Sequence, residues 1–169
     1  MVVLETDRLR LRRLSVNDAA FILRLLNEPS FIENIGDKGV RTIDDARLYI
    51  LNGPIASYEK FGFGLYLVEM LESNTPMGMC GLLKRDVLED VDIGYALVPE
   101  FWSKGYALES ALAVISLASK TLGLKRVLAI TSPNNQSSIR VLEKIGFQFE
   151  RMVKLSDEAD EIKLFAYDM

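Results

Sequence analysis

Pro99-Glu100-Phe101-Trp102-Ser103-Lys104-Gly105-Tyr106-Ala107 joins an extended apolar segment, Val91 to Val98, to a helical pattern running from Gly105 to Leu122. A strand that breaks through small residues into a helix leaves backbone N–H groups unpaired, and the helix dipole adds about half a positive charge there. A phosphate or pyrophosphate is the natural guest of such a turn. Two common phosphate loops do not fit it. A Walker A loop requires Gly-x-x-x-x-Gly-Lys-Ser/Thr, whereas Ser103-Lys104-Gly105 has the wrong order and lacks the first glycine. A dinucleotide fingerprint requires Gly-x-Gly-x-x-Gly, whereas the turn supplies only Gly105 and Ala107, and the strands ahead of it read as antiparallel.

Downstream of the turn, Leu108, Ala111, Leu112, Ile115, Leu117 and Ala118 recur at helical spacing, with Gly123 as the stop. Val127 to Thr131 is a short apolar strand. A right-handed crossover makes it the parallel neighbour of Val91 to Val98. Pro133 to Gln136 is a polar loop, Ser137 to Ile145 a helix with Val141, Leu142 and Ile145 inward, and Gly146 its stop. Strands at Phe147 to Lys154 and Ile162 to Tyr167 follow. Upstream, Phe63 to Met70 and Met77 to Leu83 flank the turn Ser73-Asn74-Thr75-Pro76 and form an antiparallel meander with Val91 to Val98.

Arg8 to Leu14 alternates Leu9 and Leu11 with Arg8, Arg10 and Arg12, which predicts a half-exposed strand. Ser15 with Asp18 reads as a capping box opening a helix through Asn17 to Leu26 that stops before Pro29; Thr42 with Asp45 opens another through Ala46, Leu48, Tyr49 and Ile50. Between them, Phe31 to Arg41 reads as a loop with Gly36 and Gly39. No Pro-, Gly- or Ser-rich linker interrupts the order and no repeat is present, so residues 1–169 read as one α/β domain with a mixed sheet.

Composition narrows the function. Net charge is −4, with no broadly basic surface for nucleic acid. Between Leu97 and Gly146, however, Lys104, Lys120, Lys125, Arg126, Arg140 and Lys144 outnumber Glu100, Glu109 and Glu143, a local excess where an anion would sit. Cys80 is the only cysteine and histidine is absent, which excludes an intrachain disulfide, a Cys/His zinc site and a histidine triad; no metal site is expected. Neither a secretory leader nor a long uncharged apolar window is evident, so the expectation is a cytoplasmic protein without a membrane partner.

Two segments resemble one family. Ile93-Gly94-Tyr95-Ala96-Leu97-Val98-Pro99 leading into Phe101-Trp102-Ser103-Lys104-Gly105-Tyr106-Ala107-Leu108-Glu109 is similar to the acyl-CoA-binding motif of the GNAT acetyltransferase superfamily. Asn135-Gln136-Ser137-Ser138-Ile139-Arg140-Val141-Leu142-Glu143-Lys144-Ile145-Gly146-Phe147 is similar to its downstream motif. The opening Leu4-Glu5-Thr6-Asp7-Arg8-Leu9-Arg10-Leu11-Arg12 resembles the branch of ribosomal-protein N-terminal acetyltransferases. One position departs: the family's pyrophosphate loop often begins with Gln or Arg where this chain has Trp102, an aromatic that the branch commonly carries. Trp102 is expected to pack under the loop.

The resemblance implies a mixed, mostly antiparallel central sheet of about six to seven strands flanked by four helices, with a parallel pair splayed at the acyl-CoA site. It implies acetyl-CoA as cofactor, CoA as product, and direct acetyl transfer to a primary amine in a ternary complex. Ser103, Lys104, Gly105, Tyr106 and Ala107 would wrap the pyrophosphate, while Ala96, Leu97 and Val98 would pair with the pantetheine arm. Asn135 and Ser138 would lie beside pantetheine and thiol, Asn135 orienting the arm and Ser138 lending a proton; Asn-x-x-Ser ahead of a helix is also good capping chemistry. The acid tyrosine of other branches has no clear equivalent.

A carboxylate acting through water is the expected base, with Asp92 first and Glu33 second. Cys80 and its flanking Gly78 and Gly81 read as core, or as a bulge or a close approach by substrate. The acceptor stays open between a protein N-terminus and a small amine such as a polyamine, amino acid or antibiotic, the acidic chain favouring a basic one. A non-catalytic acyl-CoA sensor is the rival reading. C-terminal edge strands are compatible with a homodimer.

Overall fold

The computed structural model describes all residues, Met1–Met169. One eight-stranded sheet runs through the molecule in the order β1-β2-β3-β4-β5-β6-β8-β7. Its strands are β1 (Val2–Glu5), β2 (Leu9–Arg13), β3 (Leu65–Met70), β4 (Pro76–Leu83), β5 (Asp92–Leu97), β6 (Arg126–Thr131), β7 (Gln148–Val153) and β8 (Ile162–Asp168). Every neighbouring pair is antiparallel except β5 with β6. The helices are α1 (Ala19–Leu26), α2 (Pro29–Asn34), α3 (Ile43–Ile50), α4 (Ala56–Phe61), α5 (Tyr106–Lys120) and α6 (Gln136–Ile145).

Local sequence chemistry sets most boundaries. Both capping boxes form: Ser15 accepts from Asn17 N and opens a 3-10 turn into α1, and Thr42 accepts from Asp45 N at the start of α3. Gly146 closes α6 at φ +118, and Gly123 takes φ +67 just past α5, where a side chain would be strained. Three expectations change. Val2–Glu5 adds a strand against β2. Pro29 both follows α1 and occupies the first turn of α2, where its missing N–H costs nothing, so Phe31 to Asn34 are helical rather than loop. Residues after Ile50 continue through a π turn, Leu51–Ile55 containing Pro54, into α4, giving six α-helices rather than four.

The side-chain period of two divides the core between the sheet's faces. Ile93 and Leu97 meet Ala111, Val114, Ile115 and Ala118 of α5 and Ile139 and Leu142 of α6 on one face. Val98, Met79 and Leu67 meet Ile22, Leu25 and Leu26 of α1 and Ala46 and Ile50 of α3 on the other. At Gly78 a Cβ would lie 2.0 Å from the Ala96 carbonyl oxygen, and at Gly81 2.0 Å from that of Gly64. These glycines admit the neighbouring backbone rather than a substrate, and the β3–β4 register also slips at Val68/Glu69, beside Gly78. No helix is long and apolar enough to cross a membrane.

The parallel pair positions the site. Strand β5 pairs with β6 only at Asp92↔Leu128 and Ile93↔Ala129. From Gly94 onward β5 stays on β4, whereas β6 follows β8 along its length. The sheet opens there, leaving Gly94, Tyr95 and Ala96 partly exposed inside an otherwise buried strand.

Candidate active site

At the mouth of this opening, a 3-10 turn (Pro99–Phe101) leads through Trp102 into a left-handed Ser103 (φ +61) and a left-handed Gly105 (φ +84), the N-cap of α5. No backbone N–H from Ser103 through Leu108 has a protein acceptor. A run of free N–H groups bent by left-handed residues forms an anion-binding concavity, reinforced by the positive end of a 15-residue helix. The structure thus brings together Ser103, Lys104, Gly105, Tyr106 and Ala107, and adds Leu108.

A brace that sequence reading missed holds this turn. Thr6 Oγ1 donates to Glu109 Oε2 at 2.5 Å, and Arg8 donates from its backbone N to Oε2 (3.2 Å) and from Nε to Oε1 (2.7 Å). Arg8 Nη1 also reaches the Lys104 carbonyl at 3.1 Å, and its guanidinium lies over the Tyr106 ring. Partial burial pushes the Glu109 carboxyl up, but these donors win and hold it below its usual range. In the sequence Arg8 is one of three arginines alternating with leucines, with nothing in its spacing to mark a partner 101 positions away.

Along the opening, the backbone direction of β5 decides which groups a cofactor can reach. Val98 N donates to Met77 O on β4, so Ala96 and Val98 direct their polar backbone groups into the existing ladder. By alternation Tyr95 and Leu97 face the gap, as Val91 O does where it accepts from Leu128 N. Of the three residues expected to pair with pantetheine, only Leu97 offers main chain to the gap, and Tyr95 joins it. The Leu97 carbonyl accepts from Trp102 Nε1 at 2.9 Å. Trp102 is therefore not packed under the loop: it is 46% exposed and closes over a gap-facing acceptor.

Across the opening, the Tyr95 hydroxyl lies 2.9 Å from Ser138 Oγ and donates to the Ser138 carbonyl at 3.1 Å. Burial pushes the Tyr95 phenol up to about 12, against the pull of the Ser138 hydroxyl. Asn135 is the N-cap of α6, its Oδ1 accepting from Ser138 N at 3.3 Å, which leaves its Nδ2 without a partner. The capping chemistry is therefore real, and Asn135 keeps a donor to spare. Arg140 and Lys144 are exposed.

Asp92 sits where the β5–β6 pairing ends, on the opposite face from Ile93 and Tyr95. It is wholly buried, and both its oxygens accept from Arg85 Nε, at 3.1 and 3.2 Å. Burial pushes its pKa up to about 6, with Arg85 opposing. Glu33 is exposed on α2 with no hydrogen-bond partner, one residue before Asn34, whose carbonyl accepts from Ser132 beyond β6. Cys80 is fully buried, its thiol pushed up to about 12 by burial, which suits core packing rather than nucleophilic attack.

A mostly antiparallel sheet opened at one parallel pair, with an anion-binding turn at the mouth of the opening, defines a class of acyl-group transferases. Residues 8–148 match the family model described as "Acetyltransferase (GNAT) domain", and the chain belongs to that family. It is 30% identical over 154 residues to the uncharacterized N-acetyltransferase YoaA of Bacillus subtilis, covering 90% of this chain and 86% of that protein. It is 28% identical to the uncharacterized N-acetyltransferase YnaD of the same organism, covering 88% and 84%. Among solved structures, an acetyltransferase from Agrobacterium tumefaciens superposes with a TM-score of 0.84 at 25% identity, covering 100% and 95% of the two chains. RimL, a ribosomal L7/L12 alpha-N-protein acetyltransferase in complex with coenzyme A, shares the fold with a TM-score of 0.86 at 17% identity, covering 100% and 98%.

Proposed function

We propose that the protein transfers the acetyl group of acetyl-CoA to a primary amine, of the α-amino type found at a protein N-terminus, by direct attack in a ternary complex. The observation that carries this reading is the continuity of two binding features. The unpaired N–H groups of Ser103 to Leu108 suit a pyrophosphate, and the opening beside Tyr95 and Leu97 leads from them to the end of the β5–β6 pairing. An extended pantetheine arm would lie there as an added strand, using the main chain of Tyr95 and the N–H of Leu97, which are unpaired on the β6 side, while the Leu97 carbonyl is held by Trp102.

In the reaction the amine nitrogen attacks the thioester carbonyl carbon, the C–S bond breaks, and the electron pair leaves on sulfur. The amine loses one proton and the sulfur gains one. An α-amino group has a pKa of about 8, so a substantial fraction is already neutral near that pH and needs no strong base. Asp92, enclosed and committed to Arg85, is suited to positioning rather than to taking the proton itself. Tyr95 and Ser138 are placed to donate hydrogen bonds to the departing thiolate. A thiolate whose conjugate acid has a pKa of ~8.5 cannot pull a proton fully from a phenol at about 12, so this pair stabilises developing charge while the proton that the amine gives up, relayed by water, ends on sulfur. The free Nδ2 of Asn135 would orient the arm.

The test is thiol release from acetyl-CoA with a panel of peptides and small amines, alongside calorimetry with acetyl-CoA. Acceptor-dependent release supports transfer. Tight binding with no release for any acceptor makes the protein an acyl-CoA sensor, and no binding removes the cofactor assignment.

A further inference from the structure

On the face of the sheet that carries Asp92, two surface depressions of about 320 and 410 Å³ meet at Tyr49, Asn52 and Gly53. The first reaches Leu83 and Lys84 at the end of β4, and Leu83 is the register partner of Asp92. The combined cleft therefore ends beside the point where the β5–β6 pairing stops. Its rim is cationic in an acidic protein: Lys60 and Lys84 line one half and Lys38 the other.

The carboxylates nearby are already used. Asp45 accepts from the backbone N–H groups of Arg41 and Thr42 in the α3 cap, and Asp92 accepts from Arg85 Nε. Lys84 is tied to the Leu88 and Arg85 carbonyls. Other donors have no partner: Lys38 makes no hydrogen bond or ion pair, the Tyr49 hydroxyl bonds to nothing, and Arg85 uses only Nε, leaving both Nη groups free. Desolvation, then Arg85, lowers the Lys38 ammonium, whereas burial raises the Tyr49 phenol against Arg85's opposing pull. Arg85 follows the cleft-lining Lys84 and is bonded through Nε to Asp92, the register partner of the cleft-lining Leu83, so its free Nη groups bring positive charge to this end of the cleft, as Lys38 does to the other.

We propose that this cleft selects acceptors that carry an anionic group, a carboxylate or a phosphate, close to the reacting amine, received by the free Nη groups of Arg85 and by Lys38, with Tyr49 as an additional donor. Asp92 then acts as a positioning residue, fixing Arg85 through Nε so that its terminal fork faces the ligand. This rests on the acetyltransferase reading above and reverses the expectation that an acidic chain favours a basic acceptor.

The test uses matched acceptors with acetyl-CoA: leucine and phenylalanine against their amides, a peptide with Asp at its second position against the Asn version, and phosphoethanolamine against ethanolamine. At least one anionic member is expected to exceed its neutral partner about tenfold in kcat/KM, and the pair that does so names the source of the charge. Arg85→Gln and the exposed Lys38→Gln are each expected to raise acceptor KM several-fold, leaving kcat and the KM for acetyl-CoA nearly unchanged. Equal or better use of the neutral partners, or a preference that survives both substitutions, overturns the inference while leaving acetyl transfer intact. A second readout needs no turnover: calorimetry of N-acetyl-leucine, N-acetyl-leucinamide, N-acetylated Asp and Asn peptides, and N-acetyl-phosphoethanolamine against the CoA-bound protein. Equal affinity across each matched pair, or no binding of any anionic product, overturns the inference even if no acceptor is turned over.

Discussion

The hydroxyl groups of Tyr95 on β5 and Ser138 on α6 meet at 2.9 Å across the place where the sheet has opened. Forty-three positions apart in sequence, they form one hydrogen-bonded unit beside a gap onto which the backbone of Tyr95 and Leu97 faces. Tyr95→Phe removes the phenol's donor while keeping the ring against the core. If the unit steadies the departing thiolate, kcat should fall by about tenfold to a hundredfold with little change in acetyl-CoA binding. Ser138→Ala should give a similar loss, and the double variant should cost little more than either single one, because the two side chains act together. Steady-state thiol release checks this, and an undiminished kcat in Tyr95→Phe would exclude the role.

Gly105 combines φ +84 with a neighbouring Arg8 Nη2 at 3.3 Å from the position a Cβ would take. Gly105→Glu should therefore strain the turn by about 1 kcal/mol or more and place a negative charge where the pyrophosphate is expected. Acetyl-CoA affinity should drop by about a hundredfold or more, with only a modest change in melting temperature. Calorimetry paired with a thermal melt separates the two effects. Unchanged affinity would move the cofactor elsewhere.

Trp102 is the only tryptophan, so its emission reports on one place. Its indole N–H occupies the Leu97 carbonyl, an acceptor that faces the gap. A pantetheine amide that reaches this carbonyl must share it with the indole or displace it, and the emission should shift in position or intensity as CoA is added. Trp102→Phe should bind CoA at least as tightly, by up to about tenfold, because one competing hydrogen bond has gone. A saturating CoA titration without any spectral change would contradict this route for the arm.

Asp92 supplies a pH signature. Its folded pKa, raised to about 6 mainly by burial, lies above the ordinary aspartate value, so the folded protein holds this proton more firmly than the unfolded chain does. The resulting contribution to stability is fully present below about pH 4 and is lost as pH rises through about 6. Arg85 and Lys84 are the charges acting against that shift. Denaturant melts of Asp92→Asn between pH 4 and pH 7 should lack this downward component. Identical pH dependence in the two proteins would mean that Asp92 does not titrate in this range.

Local chemistry made much of the fold legible. The pairs Ser15/Asp18 and Thr42/Asp45 announce helix starts because a capping box is complete within four residues, and Gly146 announces a stop because the left-handed cap needs no distant partner. Pro29 misled because the same residue ends one helix pattern and suits the first turn of another. Val2–Glu5 is short and at the sheet edge, so its strand character comes from β2 rather than from itself. In the site, the anion turn was readable as a motif carried by consecutive residues. The orientation of Ala96, Leu97 and Val98 was not, since it depends on register with β4. Nor were Tyr95 with Ser138, Arg85 with Asp92, or Arg8 with Glu109, each pairing being created by the sheet rather than by spacing along the chain.

The bond from Arg8 to Glu109 spans 101 positions. During synthesis the first hairpin leaves the ribosome long before the residues it must hold, and contacts of such separation form late because a large loop must close first. The turn at Ser103 to Ala107 therefore acquires its brace only after most of the sheet is assembled. If the turn takes the pyrophosphate as proposed, acetyl-CoA should stabilise the last stage of folding, and a chain shortened by its first eight residues should fold its core yet fail to hold the ligand.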